Sequence, residues 1–185
     1  MKPFALAALA AGLILDIDLH AIVNSLAQSR HVPGRLEMIS NHRDILVFVD
    51  YAHTDDALAN VLTTLRELAP RRIIVVFGCG GSRDRTKRPE MGKVATTMAD
   101  YTVLTSDNPR KEDPMQIIAQ IEQGCRVGAS YDVEVDRTQA IRRALTMAQP
   151  GDAVLIAGKG HERYQELGDV IIPFDDRQVV KEMLA

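Results

Sequence analysis

The sequence predicts an α/β domain with a doubly wound, mostly parallel sheet of about six strands flanked by helices. Three observations carry this. The runs at 45–49, 73–77 and 153–157 are continuous in Val, Ile and other apolar residues, as expected of strands buried on both faces. Segments with the apolar spacing of helices separate these runs. Each run exits into a loop carrying glycine, charge or both, and open α/β sheets bind ligands outside the carboxyl ends of their strands.

Taken in order, residues 1–15 form an Ala-rich segment that reads as a helix apolar nearly all round, needing cover on more than one side. A single positive charge before a short apolar core imitates a signal peptide. The run is too short to span a bilayer and has no clear small-residue cleavage context, so neither export nor membrane insertion is expected. Asp18 to Ala27 repeats Leu19, Ile22, Val23 and Leu26 at helical spacing. The Pro/Gly break His31-Val-Pro-Gly-Arg35 is the strongest boundary signal and divides the chain into 1–30 and 31–185.

Beyond it the expected elements alternate. A short strand at Leu36–Ile39 and a buried run at Ile45–Val49 lead to a helix at Asp55–Leu68, a strand at Ile73–Phe77 and a helix at Pro89–Met98. Next come a strand at Tyr101–Thr105, a helix at Pro114–Gln123, a strand at Val133–Val135 and a helix at Arg137–Met147. A strand at Ala153–Ala157, a short strand near Val170–Phe174 and a helix from Asp176 complete the chain.

The composition allows a substantial core, with 46% hydrophobic residues in 185. Twenty-two basic residues against 25 acidic ones give a formal charge of -3, so nothing global favours nucleic acid or an anionic membrane. Cys79 and Cys125 are distant and form no CxxC pair, which suits free thiols in a reducing, cytoplasmic setting rather than a disulfide framework or a zinc site.

Four strand exits carry chemistry. Thr105-Ser106-Asp107-Asn108-Pro109-Arg110 sets an acid, an amide and a guanidinium in a turn stiffened by proline. Arg110 offers a planar fork to a carboxylate, Asp107 can hold an ammonium and Asn108 can do either, a set suited to a zwitterion. The plainer reading is a strand-to-helix loop in which Asp or Asn caps the next helix. In Val49-Asp50-Tyr51-Ala52-His53-Thr54, an acid and an imidazole could grip a ribose or phosphate or move a proton; alternatively they are a cap and packed rings.

Gly78-Cys79-Gly80-Gly81-Ser82-Arg83-Asp84-Arg85-Thr86-Lys87-Arg88 combines three glycines with four cations that would surround an entering anion. Its spacing matches neither GxGxxG nor GxxxxGK[ST], and no histidine is paired with Cys79 by sequence, which weakens dehydrogenase and thiol-nucleophile readings. Gly158-Lys159-Gly160-His161-Glu162 clears space for a ligand and brings Glu162 to receive an ammonium or cap backbone N–H groups. Parallel neighbours would bring the exits at 78, 106 and 158 to one edge and one shared site.

These motifs in order resemble the Mur ligase family, specifically its members that add meso-diaminopimelate. The resemblance runs through Val-Pro-Gly-Arg35, Val-Asp50-Tyr-Ala-His53-Thr, Phe-Gly-Cys-Gly-Gly81-Ser-Arg83-Asp-Arg, Lys-Arg-Pro89, Thr-Ser-Asp107-Asn-Pro-Arg110, Gly158-Lys-Gly-His-Glu162 and Phe-Asp-Asp-Arg177. It covers most of 31–185 and implies the family's Rossmann-like third domain; the Ala-rich start resembles the last helices of its central ATPase domain.

The activity implied is ATP-dependent amide bond formation in peptidoglycan synthesis, with Mg2+. ATP phosphorylates the D-glutamyl carboxylate of a UDP-N-acetylmuramoyl-dipeptide, and the amine of meso-diaminopimelate attacks the acyl phosphate. On the resemblance, Arg110 pairs with the distal carboxylate of diaminopimelate, and Arg83, Asp107, Asn108, Gly158 and Glu162 complete the pocket. Arg35, Asp50 and His53 stand in motifs resembling nucleotide contacts, flanked by Tyr51. A lysine would leave Arg110 without its charged partner and should be rejected.

Two departures are Asp55, where the family usually has Pro, and Ser82, where Asp is common. The family's Gly-Thr-x-Gly-Lys-Thr phosphate loop, its modified lysine with magnesium ligands and its uridine-binding domain are not in this sequence. The expectation is therefore a fragment, truncated product or excised domain, with Met1 near the old junction and no ligase activity alone. A free-standing module for a zwitterionic amino acid and a remnant without function are the alternatives.

Overall fold

In the computed structural model, which describes residues 2–28 and 32–185, the chain divides into a helical unit, Met1–Val32, and an α/β unit, Pro33–Ala185. His31, which opens the expected Pro/Gly break, lies outside the described residues.

The helical unit contains α1 (Lys2–Ile14) and α2 (Leu19–Ala27). Asp16 takes a left-handed φ of 56°, and the Ile17 N–H reaches the Gly12 carbonyl at 3.0 Å, the six-to-one bond of a Schellman end. Asp18 then caps α2 by accepting from the Ala21 N–H at 3.0 Å. The helices meet where Gly12 leaves room for Ile22; a Cβ at position 12 would stand 2.6 Å from the Ile22 Cδ1.

The α/β unit runs β1 (Glu37–Met38), β2 (Leu46–Asp50), α3 (Asp55–Glu67), β3 (Ile73–Phe77), α4 (Lys87–Met98), β4 (Tyr101–Leu104), α5 (Pro114–Glu122) and β5 (Tyr131–Val133). It continues with α6 (Arg137–Met147), β6 (Ala153–Ala157), β7 (Tyr164–Leu167), β8 (Val170–Pro173) and α7 (Asp176–Leu184). Six strands form the main sheet in the order β1-β2-β6-β3-β4-β5; all neighbours are parallel except β1, which runs antiparallel to β2.

Alternation along the strands builds two cores. Ile73, Val75 and Phe77 face the layer containing α3, α4 and α5, packing with Leu58, Leu62, Met91, Ile117 and Ile121. Ile74 and Val76 face the opposite layer with Ile141, Leu145 and Val180 from α6 and α7. The doubly wound expectation is met for this reason: the continuous Val/Ile runs have no solvent face. Among the described residues, no helix is long and apolar enough to cross a membrane.

Two strand readings shift. β5 lies at 131–133, not 133–135, because an edge strand accommodates the polar Tyr131 and Asp132, while Val135 turns to accept from the Thr105 hydroxyl and the Ser106 N–H. The strand expected near 170–174 is β8, but it pairs with β7 in a separate hairpin whose Gly168 has φ 64°.

Register places the site. Asp50 pairs with Ala157, Val76 with Ile156 and Phe77 with Leu104, so β2, β6, β3 and β4 end at one level. Their exit loops share the carboxyl edge of the sheet.

Candidate active site

A cleft of about 510 Å³ opens at this edge, lined by Arg83, Asp107, Asn108, Arg110, Gly158 and Glu162 among others. Every residue expected to bind the amino acid is therefore on one wall system. His53 also lines the cleft, whereas Arg35 and Asp50 do not.

The exit loops of β3 and β4 are stitched together before any ligand arrives. The Gly81 N–H donates to the Asn108 carbonyl at 2.8 Å, and the Arg110 Nη1 donates to the Gly81 carbonyl at 3.0 Å. A Cβ at Gly81 would lie 1.9 Å from the Pro109 carbonyl oxygen, so only glycine permits this approach. Glu112 closes the seam. It accepts from the Ser82 N–H at 2.6 Å and from both terminal nitrogens of Arg88 at 2.9 and 3.1 Å. The Arg88 hydrogen bonds, helped by the Ser82 N–H, pull the Glu112 carboxyl down to about 2.

The four cations of the β3 exit do not surround an anion together. Arg88 is fully buried and spent on Glu112, Gln120 and the Gly80 carbonyl. Arg85 stands 3.3 Å from Glu112, and the Lys87 Nζ donates to the His53 carbonyl at 2.7 Å. Arg83 is exposed and makes no hydrogen bond or ion pair among the described residues, so it alone keeps its full donor set. Cys79 is buried against Met91 with its sulfur 3.6 Å away, and burial pushes its thiol up to about 12, which rules against a thiolate nucleophile at neutral pH.

Beneath the cleft are two buried cations that the sequence reading did not single out. Arg137 is buried and grips Asp176 through Nε and Nη2 at 2.8 and 2.9 Å, while donating to the Ala157 carbonyl at 2.9 Å. Burial opposes its charge, but Asp176 reverses this and leaves the net shift upward. The nearest Asp107 oxygen lies 4.0 Å away, so Arg137 also anchors that carboxylate. Lys159, fully buried, donates to Asn108 Oδ1 at 2.8 Å and to Glu162 Oε2 at 3.0 Å. Asn108 returns a bond from Nδ2 to the same Glu162 oxygen at 2.9 Å.

The β7–β8 hairpin forms a further wall. Gln165 donates to the Asp107 carbonyl at 2.7 Å, and the Glu166 N–H donates to Asn108 Oδ1 at 3.1 Å. Arg110, with a left-handed φ of 52°, is held at both backbone ends: its N–H donates to the Glu166 carbonyl, and its carbonyl accepts from the Gly168 N–H at 2.8 Å. The Arg110 Nε lies 2.7 Å from Glu166 Oε2. A signal for this wall was present in Tyr164–Pro173: two short runs joined by Gly168-Asp169, a two-residue hairpin turn.

At the β2 exit, both Asp50 oxygens serve the backbone, accepting from Leu36 at 2.6 Å and Ala52 at 2.7 Å. Asp50 thus shapes the 34–36 loop. Arg35 lies over the Tyr51 ring at 4.6 Å, and His53 and His161 flank that ring at 4.6 and 5.1 Å between centroids. The C-terminal motif locks the same loop from outside: Arg177 pairs with Asp175 at 2.6 Å and reaches Glu37 at 3.6 Å, and Glu37 accepts from the Gly34 N–H at 2.7 Å.

The Mur ligase glutamate ligase domain family matches residues 34–160, the stretch that holds three of the four exit loops entire and the start of the fourth. The chain belongs to the Mur ligase family. It is 52% identical over 182 residues to a UDP-N-acetylmuramoyl-L-alanyl-D-glutamate-2,6-diaminopimelate ligase from Syntrophomonas wolfei, covering 97% of this chain and 37% of that protein. A ligase of the same name from Caldanaerobacter subterraneus is 50% identical, with 98% of this chain and 38% of the relative covered. A solved structure of a ligase so named superposes with a TM-score of 0.79 at 45% identity, over 97% of this chain and 37% of that one. The chain thus spans little more than a third of the length of these relatives. A UDP-N-acetylmuramate-alanine ligase structure from Thermotoga maritima, 20% identical, shares the fold with a TM-score of 0.68 over 97% of this Mur ligase chain and 35% of that one.

Proposed function

We propose that this Mur ligase domain binds meso-diaminopimelate in the cleft and, as part of an ATP-dependent ligase, presents its amine to UDP-N-acetylmuramoyl-L-alanyl-D-glutamate in cytoplasmic peptidoglycan synthesis. On this reading residues 31–185 are the amino-acid-binding domain, and 1–30 are the end of a central ATPase domain. The observation that carries it is the mixed charge of one lining: Arg83 and Arg110 face the same cleft as Asp107, Glu162 and Glu166. A ligand with two ammonium and two carboxylate groups finds a partner for each, whereas a lysine brings no carboxylate to the open edge of Arg110.

Asn108, Lys159 and Glu162 hold one another, and Arg137 steadies Asp107, so the polar groups are oriented before the ligand enters. Arg35, Tyr51, His53 and His161 form a cation-and-ring platform that suits a nucleotide. ATP, when bound, supplies the phosphoryl group that activates the accepting carboxylate. Among the described residues no group of three or more His, Cys, Asp or Glu side chains is placed to hold a metal ion.

Calorimetric titration with meso-diaminopimelate, against L-lysine and an Arg110→Ala variant, tests the reading. Binding of diaminopimelate alone, abolished by the substitution, is expected; equal binding of lysine sinks it.

A further inference from the structure

The Arg110 guanidinium does not face the cleft alone. Its Nε is 2.7 Å from Glu166 Oε2, and one Nη1 hydrogen goes to the Gly81 carbonyl at 3.0 Å. Of the five guanidinium N–H groups, the one on Gly81 is spent on a hydrogen bond, and the Nε edge is covered by the Glu166 carboxylate. A ligand carboxylate therefore meets an arginine whose charge is already offset by a carboxylate beside it, and both side chains line the cleft. Charge attraction alone makes this a weak carboxylate site. An ion pair is instead complementary to a head carrying both signs on one carbon, in which each ligand charge meets its opposite and avoids its like.

We propose that Glu166 is a specificity-determining residue that receives the distal ammonium of the amino acid while Arg110 receives the carboxylate of the same head. This rests on the diaminopimelate reading of the cleft and deepens it. Among the described residues Glu166 is the one lining carboxylate paired with Arg110, while the others stand on different groups, Glu162 with its Oε1 still open. Glu162 Oε2 accepts from both Lys159 and Asn108, Asp107 is buried beside Arg137, and Asp84 accepts from the Thr86 N–H and hydroxyl. The one ion-pair partner of Glu166 among the described residues is Arg110, the group that must also take the ligand carboxylate.

The Glu166 backbone is fixed from both sides, its N–H on Asn108 Oδ1 and its carbonyl on the Arg110 N–H, so the pair keeps its place when the side chain is altered. A ligand with the distal carboxylate but no distal ammonium sets like charges together at Glu166. One with the ammonium but no carboxylate draws on Glu166 and gives Arg110 nothing in return. The pair reads both groups at once.

The test is the affinity ratio of meso-diaminopimelate to 2-aminopimelate, which lacks only the distal amine, measured by calorimetry for the wild-type chain, Glu166→Gln and Arg110→Ala. The wild type is expected to prefer diaminopimelate by about tenfold or more, and E166Q to bring the ratio near one, since glutamine keeps the shape and removes the charge. Melting curves establish that E166Q is folded, and a ratio between two ligands is insensitive to a general loss of stability. An unchanged ratio in E166Q, with diaminopimelate still bound and R110A inactive in binding, overturns the Glu166 assignment and leaves the cleft reading intact. No diaminopimelate binding to the wild type overturns both.

Discussion

Arg137 and Lys159 lie fully buried under the cleft with their donors on neighbouring carboxylates, carbonyls and Asn108, whereas Arg83 stands exposed on its wall with no partner among the described residues. Arg110 sits between these extremes, paired on one side and open on the other. All four are cations, and three are arginines, so position rather than residue type separates cations that build the site from cations that serve it. A buried charge is tolerated only when fully paired, and its loss strands its partners. A wall charge is hydrated without a ligand, and its loss is felt only when one binds.

The comparison breaks most visibly at Arg137. Arg137→Met leaves Asp176 buried without its cation and frees the Ala157 carbonyl, and an expected loss of about 3–5 kcal/mol follows from stranding a buried charge. Urea denaturation measures it. Adding Asp176→Leu should recover much of the loss, because the stranded carboxylate is then gone too; a double variant no more stable than the single one would show that packing, not charge, sets the cost.

Gly81→Ala tests the seam above that floor. The new methyl would stand 1.9 Å from the Pro109 carbonyl, so the β3 and β4 exits must part. Overpacking of this kind costs about 1–3 kcal/mol. Because Gly81 also holds Arg110, diaminopimelate binding should weaken beyond what the melting temperature alone reflects.

Floor and wall also differ in how much of them the sequence revealed. The Val/Ile runs and the glycine-rich exits were legible because local periodicity and turn chemistry determine them, whereas the helix at Pro114 is capped by Asp113 and not by an Asp or Asn of the β4 exit. The exits at 78, 106 and 158 also identified the cleft, since a parallel sheet has one carboxyl edge. Arg137 was not legible: an arginine at the first turn of α6 looks like any solvated helix residue until Asp176, 39 positions later, folds against it. Arg88 was misjudged for the same reason, its partner Glu112 lying 24 positions away. The β7–β8 hairpin was half legible: the apolar run of β8 marked a strand near 170–174, but the short, polar Tyr164–Leu167 hid β7 and with it the pairing, although Gly168-Asp169 marked the turn.

Glu112 gives the seam a pH signature. Its carboxyl is held at about 2, below the ordinary value of 4.5, by Arg88 and the Ser82 N–H. A depressed folded-state value means that the stabilisation is fully present above the unfolded value and is lost as pH falls through the folded one. Stability should therefore drop between about pH 4.5 and 2 in the wild type, and Glu112→Gln should be less stable at neutral pH with a shallower acid limb. Chemical denaturation at several pH values reads both; parallel acid limbs would mean that Glu112 is not the titrating group.

The smallest stability effect belongs to Arg83. It is exposed and unpaired among the described residues, and its removal leaves no buried group without a partner, so Arg83→Ala should change unfolding free energy by no more than about 0.5 kcal/mol. Binding should respond differently, because the lining then loses its cation with the most open donors. Weaker diaminopimelate binding at unchanged stability, with the deficit growing as ionic strength is lowered, is the expected pair of results. A variant that binds as tightly as wild type at low salt would remove Arg83 from the site and leave carboxylate recognition to Arg110 alone, which is already half occupied by Glu166.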